Sequence, residues 1–260
     1  MMEEITWHVK SDYVHQLARQ KQRQDGRAMD EYRKIEVVPD YVPNSPGSAL
    51  VRIGATQVLA GVSLNVGAPF PDQPETGVFM TGAELVPLAS PTFEAGPPSQ
   101  ASIEVARVVD RGIRESKAID FEKLCITPKE KVWMVMLDLH VLDYDGNLFD
   151  AGELASIIAL HRARLPKYED DKVVRGEYQG KLPISKKPVS CTFAKIADQL
   201  MLDPILDEEK SADARLTLAT FEDGFCAAQK GGTGSFTQEE LDAMLDLALS
   251  KGKDLRKLVK

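Results

Sequence analysis

"KVWMVMLDLHVLDYDGNLFDAG", residues 131–152, is the stretch whose reading decides the fold. Its apolar, largely aliphatic opening predicts a long core strand over 131–146, ended by Asp145-Gly146. An apolar helix is expected over 151–164, buried because it offers no polar face. Between them Asp143, Asp145 and Asp150 crowd around Gly146 and Asn147, which raises the question of a metal loop. A calcium loop of the EF-hand type needs acidic ligands at positions 1, 3 and 5, glycine at 6 and glutamate at 12. Counted from Asp143, Gly146 falls at position 4 and Leu154 at position 12. The spacing fits a tight Asp/Gly turn instead.

Upstream, Ile5, Val9, Tyr13 and Leu17 recur at helical spacing over 3–22, and the DGR triplet at 25–27 ends that helix. Strands are predicted over 34–38, 48–54 and 56–67, the last two joined by a Gly54-Ala55 hairpin turn. A Pro-rich loop at 69–77, a strand over 78–88 and a turn cluster at 90–99 lead to a helix over 100–119, with Ile103, Ala106, Val109 and Ile113 as its apolar face. Downstream, the polar stretch 165–188 is a connector. Strands are predicted over 189–198, 214–221 and 225–232, with a turn at Glu222-Asp223-Gly224. Thr237 with Glu240 three residues on is a capping box, and Leu241, Met244, Leu245 and Ala248 stripe the helix it opens. Strands followed by a helix occur in each half, so the expected class is α+β: two related units with mixed sheets and packed helices. The expected divisions are an N-terminal helix (1–24), a first unit (25–165), the connector (166–188) and a second unit (189–260).

The chain is 43% apolar and 28% charged, with a formal net charge of -8. That balance argues against a protein that binds nucleic acid over its whole surface, so any such site would have to be a local basic patch. Cys125, Cys191 and Cys226 are scattered in apolar contexts and fit buried thiols of a reducing compartment. The acidic, amphipathic N-terminus is no signal peptide, and no apolar run is long enough to span a bilayer, so a soluble cytoplasmic protein is expected. GGTGS at 231–235 lacks the Lys-Ser/Thr of a phosphate loop and suits a strand-to-helix connection. His8, His15, His140 and His161 are isolated from one another and from cysteine, and no Gly-x-Ser-x-Gly elbow occurs. Structural roles are expected for all four, with no metal and no cofactor.

Arg107, Arg111 and Arg114 in "ARVVDRGIRESK" (106–117) are spaced i, i+4, i+7 and share a helical face, while Val105, Val109 and Ile113 fall largely elsewhere. Two readings stand side by side. Asp110 and Glu115 permit a solvated, ion-paired face; a row of guanidinium forks also matches phosphate oxygens.

Four stretches, "DGR" (25–27), "GSALVRIGATQVLAGV" (47–62), "LVPLASPTFEAGPP" (85–98) and "ARVVDRGIRESKAID" (106–120), resemble the RNase PH family, and within it the non-catalytic ring subunits of archaeal exosomes. The resemblance spans about Gln20 to Lys251. It implies two α+β units facing each other and a hexameric ring of alternating active and inactive subunits, a trimer of heterodimers that degrades RNA from its 3′ end with inorganic phosphate. It further implies RNA and an active RNase PH-like subunit as partners, with RNA-binding cap subunits possible. Active members carry a Gly-Thr-Arg phosphate grip after a strand-end Asp. Matched from Asp145-Gly146, Leu148 and Phe149 stand where the family has Thr and Arg. The family's catalytic Asp opens a strand of the form Ala-Asp-x-Pro-x-Ala; Asp213 keeps its place in "ADARLTLA" (212–219), but Arg215 and Thr217 replace the Pro and the second Ala. The expectation is a degenerate active site at Leu148, Phe149 and Asp213, with no catalytic residue. Arg107, Arg111 and Arg114 are then the expected RNA-phosphate contacts, Arg111 first among them and Arg114 the one most open to structural ion pairing. Two alternatives are an autonomous phosphate-dependent 3′→5′ exoribonuclease, for which Asp203 and Asp207 are further carboxylates, and a purely architectural ring subunit.

Overall fold

The structure, a computed structural model, describes the backbone of residues 2–260 and the side chains of residues 10–260. The first half runs α1 (Met2–Arg19), β1 (Ile35–Pro39), β2 (Gly47–Ile53), β3 (Thr56–Gly67), β4 (Val78–Leu85), α2 (Gln100–Glu115), β5 (Cys125–Thr127), β6 (Lys131–Asp143) and α3 (Leu148–Arg162). The remainder runs β7 (Arg164–Glu169), β8 (Lys172–Lys181), β9 (Val189–Ile196), β10 (Gln199–Leu202), α4 (Leu206–Ser211), β11 (Ala214–Phe221), β12 (Gly224–Gly232) and α5 (Gln238–Arg256).

Alternation organises β6. Val135, Leu137, Leu139 and Val141 are buried on one face, while Asp138 between them is exposed. This strand is central to a sheet ordered β1-β2-β3-β6-β4, antiparallel except for the parallel β4–β6 pair, with β5 paired to β6. A second, wholly antiparallel sheet is ordered β10-β9-β11-β12. The polar stretch after α3 folds into the β7–β8 hairpin, and β10 and α4 add two elements that sequence pattern did not show.

α3 is the shared core of the two units. Every residue from Leu148 to Leu160 is buried, and the helix packs on β2 and β3 of one sheet and β9 of the other. A helix apolar all round is stable only when surrounded in this way. It begins three residues earlier than periodicity predicts, because Asn147 caps it by accepting from the Asp150 N–H. At the other margins, β4 stops at Leu85 rather than 88 and α2 at Glu115 rather than 119. In α1, Val14 and Ala18 form the buried face against Ala194, Ile196 and Met201, whereas Tyr13 is exposed. The side chains of Ile5, His8 and Val9 lie outside the described residues. Met244 and Ala248 are buried under α5, with Leu241 and Leu245 packed at the edge of the same core.

The units also touch closely at the turn before α3. Gly146 and Asn147 both take left-handed backbone angles, φ 83° and 57°. A Cβ on Gly146 would lie 2.6 Å from the Pro204 carbonyl oxygen and the Ile205 carbonyl carbon, atoms of the second unit's backbone. Glycine is therefore required here twice over, for its angle and for its missing side chain. Gly146→Ala is expected to destabilise the chain by about 2–5 kcal/mol, the sum of left-handed strain and backbone overlap. Urea unfolding of the purified variant checks this, and an unchanged midpoint would contradict the contact.

Candidate functional site

Phe149 lies in the first turn of α3, only 3% exposed. The Arg215 guanidinium, on β11, stacks over its ring with Cζ 4.3 Å from the centroid. Arg215 Nη2 donates to Glu104 Oε1 on α2 at 2.7 Å, and Nη1 to Glu209 Oε1 on α4 at 3.4 Å. The other Glu209 oxygen accepts from the Asn147 N–H at 2.7 Å. A cation stacked on an aromatic face and flanked by two carboxylates is locally satisfied in charge. Leu148 beside it is also buried. Thus the position matched to a phosphate-gripping arginine holds an apolar ring, covered by an internal arginine.

Asp213 does not join this group. Its side chain is 52% exposed, accepts from the Ala197 N–H at 3.2 Å and stands 3.9 Å from His15 Nε2. Among the described residues, no hydrogen bond or ion pair links it to Arg215 or to the α2 arginines. Asp203, a candidate carboxylate for autonomous catalysis, is fully buried and committed elsewhere. Its oxygens accept from Arg33 Nε (2.9 Å) and Nη2 (2.8 Å), from Arg27 Nη1 (3.0 Å) and from Asn147 Nδ2 (2.7 Å). Burial raises its pKa, but these donors outweigh burial and leave it lowered. Asp207 lies 3.5 Å from Lys10 Nζ.

α2 starts where the Ser99 hydroxyl accepts from the Ser102 N–H. Arg107, Arg111 and Arg114 line one surface groove of about 310 Å³ with Thr81, Asp110 and Glu115. Their environments differ. Arg107 is exposed and makes no hydrogen bond or ion pair among the described residues. Arg111 reaches across to β12, where Nη1 donates to Gln229 Oε1 at 3.2 Å and to the Ala228 carbonyl at 3.4 Å. Arg114 is paired with Asp110 through two hydrogen bonds of 3.0 and 2.9 Å, donates to the Phe79 carbonyl, and lies over the rings of Phe79 and Phe121. Ile103, expected in the core, is 47% exposed. Its spacing of i, i+4, i+8 to Arg107 and Arg111 puts it on the arginine face, and Val105 and Val108 take the core positions.

Behind this surface runs a buried polar seam. Asp150 accepts from Tyr32 Oη (2.7 Å), the Thr192 N–H (3.0 Å), Thr192 Oγ1 (2.7 Å) and Asn147 Nδ2 (2.9 Å), and burial still lifts its pKa to about 6. Glu153, one turn on, accepts from Ser190 Oγ with one oxygen, while Oε1 has no partner among the described residues. Burial, assisted by the Asp150 charge, pushes its pKa to about 8. Gly112 of α2 makes room for it, since a Cβ there would lie 2.0 Å from Glu153 Oε1. Sequence reasoning missed this seam and the Glu104–Arg215–Glu209 group. Asn147 with Asp150 three residues on was the one local signal, a cap with an acidic third position.

His15 bonds the Ser11 carbonyl, His140 stands 3.3 Å from Glu84, and His161 bonds the Lys186 carbonyl with its pKa lowered by burial. Among the described residues, no group of His, Cys, Asp and Glu is arranged to hold a metal ion, and no helix is long and apolar enough to cross a membrane. Cys191 is buried and Cys125 and Cys226 half-buried, all three free; burial pushes the Cys226 thiol to about 12.

A mixed sheet and an antiparallel sheet sharing one buried helix define a two-domain α+β protein of the RNase PH type. The chain belongs to the 3′ exoribonuclease family: residues 31–166 match its domain 1 and residues 187–251 its domain 2. It is 47% identical over 261 residues to exosome complex component Rrp42 of Thermococcus gammatolerans, covering 98% of this chain and 96% of that one. Among solved structures it is similar to a chain of the Archaeoglobus fulgidus exosome with RNA bound to the active site, at 45% identity and a TM-score of 0.93, covering 98% of this chain and 100% of that chain. A chain of an archaeal exosome core matches at 41% identity and a TM-score of 0.89, covering 100% of this chain and 99% of that chain.

The Glu153 carboxyl ordinarily titrates near 4.5 but near 8 when folded, so the folded chain holds a proton that the unfolded chain gives up. Its stabilising contribution is complete below about 4.5 and is lost as pH rises through about 8. Glu153→Gln carries no such proton. The variant is expected to gain on the parent chain by more than about 1 kcal/mol between pH 5 and pH 8. Urea midpoints across that range test this; parallel stability curves would show that Glu153 stays ionised.

Proposed function

We propose that this chain is a non-catalytic subunit of an archaeal exosome core, lending RNA-phosphate contacts to an active RNase PH-like neighbour. The observation that carries this reading is Phe149, buried beneath Arg215, where a catalytic relative needs a free guanidinium for phosphate. An aromatic ring offers phosphate no charge, and the arginine above it is already paired with Glu104 and Glu209. Asp213 alone supplies a carboxylate without the cationic cradle that phosphate attack requires. The similarity to Rrp42 proteins named as exosome components, and to chains of archaeal exosomes, supports the same reading.

In this reading the subunit alternates with its active partner in a six-membered cytoplasmic ring, a trimer of heterodimers, which RNA-binding cap subunits complete. Arg111 and Arg107 are the phosphate contacts at the subunit boundary. Among the described residues Arg111 has no carboxylate partner, while Arg114 is held by Asp110 and serves the local structure.

In the complex reconstituted with an active homologue, Arg111→Ala is expected to weaken single-stranded RNA binding roughly tenfold, the scale of one charge-assisted contact. The salt dependence of log affinity should fall by about 0.7, the value of one phosphate on a single strand. The lone chain, given RNA and inorganic phosphate, should release no nucleoside diphosphate. Phosphate-dependent release by the lone chain, or unchanged affinity in the variant complex, would overturn the assignment.

A further inference from the structure

Arg215, Glu104, Gln229 and Arg111 form a continuous hydrogen-bonded chain from the degenerate site to the arginine face. Arg215 is fixed by its stack on Phe149 and by Glu209, and donates to Glu104 Oε1 at 2.7 Å. The same Glu104 oxygen accepts from Gln229 Nε2 at 3.4 Å. Gln229 Oε1 then accepts from Arg111 Nη1 at 3.2 Å. The elements allow this geometry: Gln229 on β12 pairs with Thr217 two residues along β11 from Arg215, and Glu104 lies two helical turns before Arg111 on one face of α2.

We infer that Gln229 is a positioning residue for Arg111, and that the degenerate site survives as the anchor of this relay. The inference rests on the RNA-binding reading of Arg111. Because Glu104 can only accept, the amide nitrogen of Gln229 turns toward it and the carbonyl oxygen turns toward Arg111. A neutral acceptor orients the guanidinium without neutralising it. Arg114 shows the alternative on the same helix, where the Asp110 carboxylate both orients and neutralises. Arg111 is thereby held partly ordered, with its charge still available to phosphate, so less side-chain freedom is lost when RNA binds.

The test is a double-mutant cycle on RNA affinity in the reconstituted complex, with ring mass and thermal midpoint recorded for each variant. Gln229→Ala is expected to weaken binding roughly threefold, the scale of one rotamer-rich side chain left mobile. In the Arg111→Ala background the same change should cost nothing further. Gln229→Glu gives up the amide donor to Glu104, so its carboxylate turns to Arg111, and it should lower the salt dependence as Arg111→Ala does, by about 0.7. Full affinity in Gln229→Ala while Arg111→Ala loses it would overturn the relay, as would equal losses from Gln229→Ala in both backgrounds, which mean that Gln229 touches RNA by itself. If Arg111→Ala retains full affinity, the RNA-binding reading falls and the relay with it.

Discussion

The Asp203 carboxylate belongs to the second unit, yet Arg27, Arg33 and Asn147, which donate to it, all come from the first part of the chain. Taking a carboxylate and two guanidinium groups out of water costs several kcal/mol per ion, so such a cluster persists only when its hydrogen bonds are complete. Here they are. Arg33 grips both Asp203 oxygens through Nε and Nη2, and its Nη1 goes on to the Asp145 carbonyl at 2.6 Å. Arg23 repeats the device beside it, clasping Glu208 and the Leu202 and Asp203 carbonyls. Losing any one donor would leave a buried charge unmatched, so the cluster enforces a single register between the units.

That register reaches the arginine face of α2 through Asn147. One amide nitrogen spans Asp203 and Asp150, so the cluster that joins the units also sets the start of α3. Fixing Asn147 fixes Phe149 two residues later, and Glu209 ties the same turn to Arg215. Arg215 in turn holds Glu104 on α2. The orientation of the arginine face thus descends from a buried ion cluster at the N-terminal turn of α3, by contacts that are each under 3.5 Å. Packing supplies the rest: α3 is too uniformly apolar to choose a rotation about its own axis, and Asp150 and Glu153 choose it by needing Thr192 and Ser190.

Sequence periodicity carried these strands and helices of the fold because β6, β3 and α5 each bury one face and leave the other more open. It failed where burial lacks that asymmetry. β10 and α4 are short, and the N-terminal turn of α3 is capped from an unusual left-handed Asn rather than a Ser or Thr. Ile103 reads as core from its apolar side chain, although its phase on the helix belongs with the arginines. The Leu148-Phe149 departure was legible only against the family motif. What fills the space over Phe149 was not legible at all, since Glu104, Glu209 and Arg215 are distant in sequence and ordinary as residue types.

Net charge gives the arginine face its meaning. A chain with 40 acidic and 32 basic residues repels polyanions over most of its surface, so capture of a phosphate needs cations that no carboxylate has already neutralised. On α2 the three arginines divide by this criterion. Asp110 has taken Arg114, Gln229 and a backbone carbonyl hold Arg111 with neutral oxygens, and Arg107 points into solvent. At about 8 Å of screening length under physiological salt, a neighbouring carboxylate at contact distance cancels far more than the diffuse negative charge of the remaining surface. The identity of each arginine's partner, rather than the number of arginines, therefore determines where this acidic protein keeps a cation free for a phosphate.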